Sequence, residues 1–147
     1  MKKLLLLTTV FTLLFIGACK KTQDGPLNKY GVNITSIESI DKVGYDRLKE
    51  ENKDKIILFN FFGSWCPPCK AETPYFIDVY EKYKDKNFLI VGLSVDPIKE
   101  DAIEFVNKYG ITYPVFLADR SLQDAFKIKN IPTTLIEIGR ASCRERV

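Results

Sequence analysis

The sequence predicts an α/β fold in which strands alternate with helices and pair in parallel. Three observations carry this. "KIILFNFF", Lys55 to Phe62, and "NFLIVGLSV", Asn87 to Val95, are nearly unbroken apolar runs, each the length of a strand buried on both faces. Each is followed by a stretch with apolar residues every three or four positions, the spacing of an amphipathic helix. Beyond them come two shorter strand-like runs with a helix-like segment between. The 147 residues are enough for one domain with a core, and 46% hydrophobic against 28% charged residues is the balance of a globular chain.

Taken in order, Ile34 to Ile40 is expected as an edge strand and "GYDRLKEENKDK", Gly44 to Lys55, as a helix. Lys55 to Phe62 is the central strand. From Pro67 to about Lys84 the residues Tyr75, Phe76, Val79, Tyr80 and Tyr83 recur at helical spacing. Asn87 to Val95 is the second buried strand. In "DPIKEDAIEFVNKYG" Asp96 is expected to cap a helix, with Pro97 at its first position and Gly110 as its stop. Ile98, Ala102, Ile103, Phe105 and Val106 form its apolar stripe. "YPVFLAD", Tyr113 to Asp119, reads as a short strand and "SLQDAFKI", Ser121 to Ile128, as a short helix. "IPTTLIEI", Ile131 to Ile138, is a last strand with a proline at its entry. There is no internal repeat and no low-complexity stretch.

The two ends read differently from the body. "MKKLLLLTTVFTLLFIGAC" has a short positive start, an apolar run from Leu4 to Ile16 and then small residues, the layout of a secretory signal. The run is shorter than the roughly 20 residues of a spanning helix. Ile16-Gly17-Ala18-Cys19 resembles a bacterial lipobox, which implies a signal peptide over 1–18, lipid on Cys19 and a chain anchored outside the cytoplasm. Residues 19–30 read as a polar tether and 31–137 as the folded domain. At the other end, "IGRASCRERV", Ile138 to Val147, matches residue for residue the translation of a sequencing adapter, ATC GGA AGA GCG TCG TGT AGG GAA AGA GTG. The natural chain is therefore expected to continue past Glu137 with another sequence, and Cys143 to be foreign to it.

Charge excludes one class of partner. The net charge is +3, but Lys2 and Lys3 at the start and Arg140, Arg144, Glu145 and Arg146 at the end account for it. The remainder holds 17 basic and 18 acidic residues, so it lacks the concentrated basic surface of a nucleic-acid-binding protein.

The chemistry lies in "WCPPC". A strand ending at Trp65 and a helix starting near Pro67 put Cys66 at a helix N-terminus, where free N–H groups favour a thiolate. Cys69 is three residues on, on the same helical face and within disulfide reach. Pro67 and Pro68 fall where a missing N–H costs least. Zinc needs about four N or S ligands. The chain has four cysteines and no histidine, and Cys19 and Cys143 lie at opposite ends. A structural disulfide normally closes a longer loop. A redox pair without metal or other cofactor is the favoured reading.

"NFFGSWCPPCKAETP" with "IPTTLI" downstream resembles the membrane-anchored thioredoxin-like proteins of the TlpA/ResA branch, from about Tyr30 to Glu137. The resemblance implies a thioredoxin-like fold, with a central mixed sheet flanked by helices and an extra helix-and-strand insert over Asn87 to Asp119. It also implies that the last strand and helix of that fold are missing here. It makes Cys66 the attacking thiol and Cys69 the resolving one, in a redox disulfide. It implies a cis Pro132 beside them and Ile131 pairing with an extended substrate segment. Trp65, grouped with Ile131 and Pro132 as substrate-binding, reads as a lid over the disulfide or as simple packing. Pro74 falls where the family's active-site helix bends. Glu72 matches an active-site glutamate that handles the proton of Cys69. Asn60 stands where plain thioredoxin has a buried aspartate. The implied activity is thiol–disulfide oxidoreduction at the outer face of a bacterial membrane. Reduction of exported proteins such as apocytochrome c, fed by a membrane electron-donor thiol protein, is its expected direction. An oxidase or isomerase is the alternative, then a metallochaperone or non-catalytic binding domain.

Overall fold

A computed structural model of the chain describes residues 28–139. The signal segment, Cys19, most of the tether and residues 140–147, Cys143 included, lie outside them. In order come β1 (Ser39–Ile40), α1 (Lys42–Glu51), β2 (Ile56–Phe62), α2 (Pro67–Tyr83), β3 (Phe88–Ser94), α3 (Lys99–Tyr109), β4 (Val115–Ala118), α4 (Arg120–Ala125) and β5 (Thr133–Ile138). The sheet order is β1-β4-β3-β2-β5. All pairings are parallel except β2 with β5. This is the mixed sheet flanked by helices of a thioredoxin-like fold.

Alternation along β2 sorts its residues onto two cores. Ile57, Phe59 and Phe61 join Val91, Leu93, Tyr45 of α1 and Leu122 of α4 in one. Leu58 and Phe62 join Ile90, Cys69 and Ile77 of α2 and Ala102, Phe105 and Val106 of α3 in the other. Both faces of β2 are thus covered, which is why it reads as an unbroken apolar run. In the first core the Tyr45 ring lies 4.4 Å from Phe59 and 4.8 Å from Phe126. The dithiol belongs to the second core.

Three expectations need correction. The edge strand is only Ser39–Ile40, because the Asn107 side chain takes both backbone groups of Ile34: Oδ1 accepts from its N–H at 2.7 Å and Nδ2 donates to its carbonyl at 2.9 Å. The first helix starts earlier, at Lys42, because the Asp41 carboxylate caps it by accepting from Gly44 N–H. The third starts later, at Lys99, with Ile98 as an N-cap that makes no side-chain bond. Asp96 is drawn away instead, into a buried cluster described below. Gly110 ends that helix as expected, at φ 66°, a left-handed conformation that costs glycine nothing.

The segment from Asn87 to Asp119, expected as an insert, comprises β3, α3 and β4. Of these, β3 pairs with β2 along its whole length and sits at the centre of the sheet. β5 runs one residue into the segment read as adapter-derived, since Ile138 pairs with Ile56.

Candidate active site

β2 delivers the chain to the site and α2 carries it away. Between them, the turn Gly63-Ser64-Trp65 is closed by a hydrogen bond from Cys66 N–H to the Gly63 carbonyl, 3.1 Å. Cys66 is the N-cap of α2, with extended backbone, and its Sγ accepts from Cys69 N–H at 3.3 Å. Pro67 and Pro68 occupy the first two helical positions, where the N–H they lack would have had no partner. The Cys66 carbonyl takes the first helical bond, from Lys70 N–H. Cys66 and Cys69 are joined in a disulfide with Cα atoms 5.3 Å apart. Lacking its N–H, Pro74 leaves one carbonyl a turn back without a helical donor, yet α2 runs unbroken to Tyr83.

The two sulfurs are not equivalent. Cys69 is completely shielded, its residue 0% exposed, and its carbonyl accepts from the Thr73 hydroxyl at 2.7 Å. Cys66 keeps 3% exposure and faces the entry to β5, where the Ile131–Pro132 peptide bond is cis and the Ile131 carbonyl oxygen lies 3.8 Å from Cys66 Sγ. Trp65 is 62% exposed beside it. Gly63 lies between the two flanks. A Cβ there would come within 3.0 Å of Ile131 Cδ1 and of the Trp65 ring, so the bare backbone lets the indole and Ile131 close over the turn. Cys66, Trp65, Ile131 and Pro132 therefore form one surface, with Cys69 behind it.

Glu72 lies one turn beyond Cys69, and its carboxylate is held by the sheet. Its Oε1 accepts from Asn60 Nδ2 at 2.9 Å, and Asn60, itself 2% exposed, also donates to Thr134 Oγ1 at 3.2 Å. One amide so ties β2, α2 and β5. Burial raises the Glu72 carboxyl above its ordinary value, and the Asn60 hydrogen bond pulls it back in part. Tyr113 is held as a neutral phenol, by its burial first and by the Glu72 charge second. The charge of Glu72 thus bears on the same core that holds the dithiol.

Two groups at the site were not singled out from sequence. Thr134, the second partner of Asn60, lies within "IPTTLI" but was given no role there. The other is a cluster beneath the turn. Asp96 Oδ1 accepts from Ser64 N–H at 3.0 Å and from the Ser64 hydroxyl at 2.7 Å, while Oδ2 accepts from the Ser94 hydroxyl at 2.7 Å. The signal lay in "LSVD", but the same letters read equally as the start of a helix. Among the described residues no group of three or more His, Cys, Asp or Glu could hold a metal ion, and no helix is long and apolar enough to cross a membrane.

Residues 33–140 match the AhpC/TSA family. The chain belongs to that family. Its similarity to the branch resembled in sequence is direct. It is 38% identical over 85 residues to the thiol-disulfide oxidoreductase ResA of Bacillus subtilis (strain 168), covering 57% of this chain and 48% of the relative. With the ResA of Oceanobacillus iheyensis it shares 40% over 81 residues, 54% of this chain and 42% of that one. The chain thus spans about half the length of the curated relatives it matches. Among solved structures it resembles a thioredoxin-family thiol:disulfide interchange protein of Chlorobium tepidum TLS at TM-score 0.57 and 32% identity, over 60% of this chain and 65% of that one. The thioredoxin domain of a Bacteroides vulgatus thiol-disulfide oxidoreductase aligns at TM-score 0.59 and 25% identity, over 74% and 80% of the two chains.

Proposed function

We propose that this chain is a thiol–disulfide oxidoreductase whose working pair is Cys66 and Cys69. The observation that carries the reading is the asymmetry of the pair: Cys66 caps a helix next to the exposed Trp65 and against the Ile131 carbonyl, and Cys69 lies one turn into the helix with no exposure at all. In the reduced form the Cys66 thiolate attacks one sulfur of a substrate disulfide. A mixed disulfide forms and the other substrate sulfur leaves as a thiolate. Cys69 then attacks Cys66 Sγ, releases the second substrate thiol and leaves the enzyme with the Cys66–Cys69 disulfide. The Cys69 N–H that points at Cys66 Sγ favours the attacking thiolate at the start of this sequence. The Ile131 carbonyl beside Cys66 offers a backbone acceptor to an extended substrate segment, with Trp65 covering the opposite side. Glu72 is the group that exchanges the proton of Cys69, held neutral more readily than a solvated glutamate by its burial.

The direction we propose is reduction of disulfides in exported proteins, apocytochrome c among them, with electrons from a thiol protein of the membrane. Lipid on Cys19 would anchor the chain at the extracytoplasmic face of a bacterial envelope. The signal-like N-terminus, the lipobox resemblance and the similarity to ResA support this reading. The experiment is a trap in the native envelope. Cys69→Ser leaves the mixed disulfide unresolved, so exported proteins should accumulate on Cys66 and be identified by mass spectrometry. A redox titration of the Cys66–Cys69 pair gives the direction: a potential more oxidising than that of the envelope's own thiol pool would overturn the reductant assignment in favour of an oxidase.

A further inference from the structure

We propose that Asp96 is a positioning residue for Cys66, acting through Ser64. The cluster is built for a carboxylate. Three donors converge on its two oxygens: the Ser64 N–H, within 3.0 Å of Oδ1 and 3.1 Å of Oδ2, the Ser64 hydroxyl and the Ser94 hydroxyl. The Asp96 N–H is itself taken by Ser94 Oγ at 3.1 Å. The residue is 7% exposed and Ser94 is fully buried. Among the described residues no salt bridge partners Asp96, so these hydrogen bonds are what offset the cost of burying its carboxyl group.

Its placement gives the cluster its role. β2 and β3 run side by side to Phe62 and Ser94, and Val95 N–H extends the ladder by donating to the Phe62 carbonyl at 2.8 Å. Asp96 is then the first residue past the ladder on one strand, and Ser64 sits in the turn leaving the other. The clamp therefore ties the turn to the rigid centre of the sheet, two residues before the nucleophile. From Ser64 the constraint passes through Trp65 to Cys66, whose N–H is held by Gly63. The turn is gripped from beneath by Asp96 and flanked above by Trp65 and Ile131. If Ser64 is let go, the Cys66 backbone is free to turn, and Sγ loses both its alignment with Cys69 N–H and its place against Ile131. A sulfur displaced by about 1 Å is enough to slow a reaction about ten- to a hundredfold.

A purely structural clamp would stabilise the fold and leave the reactivity of each folded molecule unchanged. A positioning clamp changes that reactivity. The inference rests on the exchange reading above, and the test separates the two. In a Cys69→Ser parent, the second-order rate of Cys66 with 5,5′-dithiobis(2-nitrobenzoate) is followed by release of the thionitrobenzoate anion, with urea melts of the same samples giving the folded fraction. Asp96→Ala is expected to slow the rate per folded molecule at least about tenfold. Asp96→Asn can still accept from Ser64 N–H and can donate to Ser94 Oγ, and is expected to recover to within about threefold of the parent. If Asp96→Ala does not fold, Ser64→Ala with Ser94→Ala replaces it, leaving the carboxylate only the Ser64 N–H, with the same slowing expected. Rates per folded molecule equal to the parent, with only the melts shifted, would overturn the positioning role. A parent in which Cys66 itself does not react would overturn the exchange reading and this inference with it.

Discussion

Replacing Asn60 by aspartate tests whether the amide between Glu72 and Thr134 is there to keep a second charge out. Asn60 is 2% exposed, and its side-chain nitrogen donates to Glu72 Oε1. An aspartate in the same rotamer turns that donor into a second acceptor. At the 2.9 Å now separating Asn60 Nδ2 from Glu72 Oε1, two ionised carboxylates would repel by about 6 kcal/mol at an effective dielectric of about 20. Glu72 is only part-buried, so solvent screening reduces this to about 3 kcal/mol, or about two pK units. The pair therefore keeps one proton well above the range in which unfolded carboxyls release theirs. The sign follows from linkage. A folded state that binds the extra proton has its full stability below the unfolded carboxyl values near 4, and loses it as pH rises through the raised folded value. Relative to wild type, Asn60→Asp should weaken by up to about 1.4 kcal/mol per pH unit between the unfolded values near 4 and the raised folded value, levelling at about 3 kcal/mol above it. Urea melts between pH 4 and pH 8 measure the gap. A gap that stays constant over that range, or a variant more stable than wild type at pH 8, would refute the reasoning.

Glu72→Gln should act in the opposite sense on the same linkage. Burial raises the wild-type carboxyl, so the stability of its neutral form is complete below about 4.3 and is lost as pH rises through the folded value. The glutamine variant should gain on wild type over that window, and parallel stability curves would contradict the burial of a charge there. The same variant should shift the pH dependence of thiol alkylation, and an unchanged profile removes Glu72 from proton transfer. Phe59→Ala, at a residue 0% exposed and with its ring packed at a tilt against Tyr45, should cost about 3–5 kcal/mol in a urea melt. A loss under about 1 kcal/mol would mean that the α1–α4 core is not packed as described.

The parts of the fold that could be read from sequence are those where one physical signal dominates. β2 and β3 are covered on both faces, so their apolar runs carried no ambiguity, and the helix after Cys66 follows from spacing and from prolines that fit only a first turn. Cys66 and Cys69 were legible because the spacing, the strand before and the helix after all agree. What failed did so where a side chain chose a distant partner over a local one. Asp96 has the letters of an N-cap, but Ser64, 32 positions back, offers it a part-buried N–H and hydroxyl. Residues 34–38 lead straight into β1, yet Asn107, 73 positions on from Ile34, satisfies the Ile34 backbone that a neighbouring strand would have used. Thr134 sits in the quoted "IPTTLI", but its role arises from register opposite Asn60, which the local letters do not carry.

The central claim is that Cys66 attacks and Cys69 resolves. It is tested most directly by incubating the reduced Cys69→Ser and Cys66→Ser variants separately with a disulfide-linked peptide and mapping the adducts by mass spectrometry. The complete shielding of Cys69 and the position of Cys66 at the N-cap of α2, beside the exposed Trp65, predict a peptide disulfide on Cys66 in the first variant and none on Cys69 in the second under native conditions. An adduct formed on Cys69 at a comparable rate, or on neither cysteine, would contradict the account.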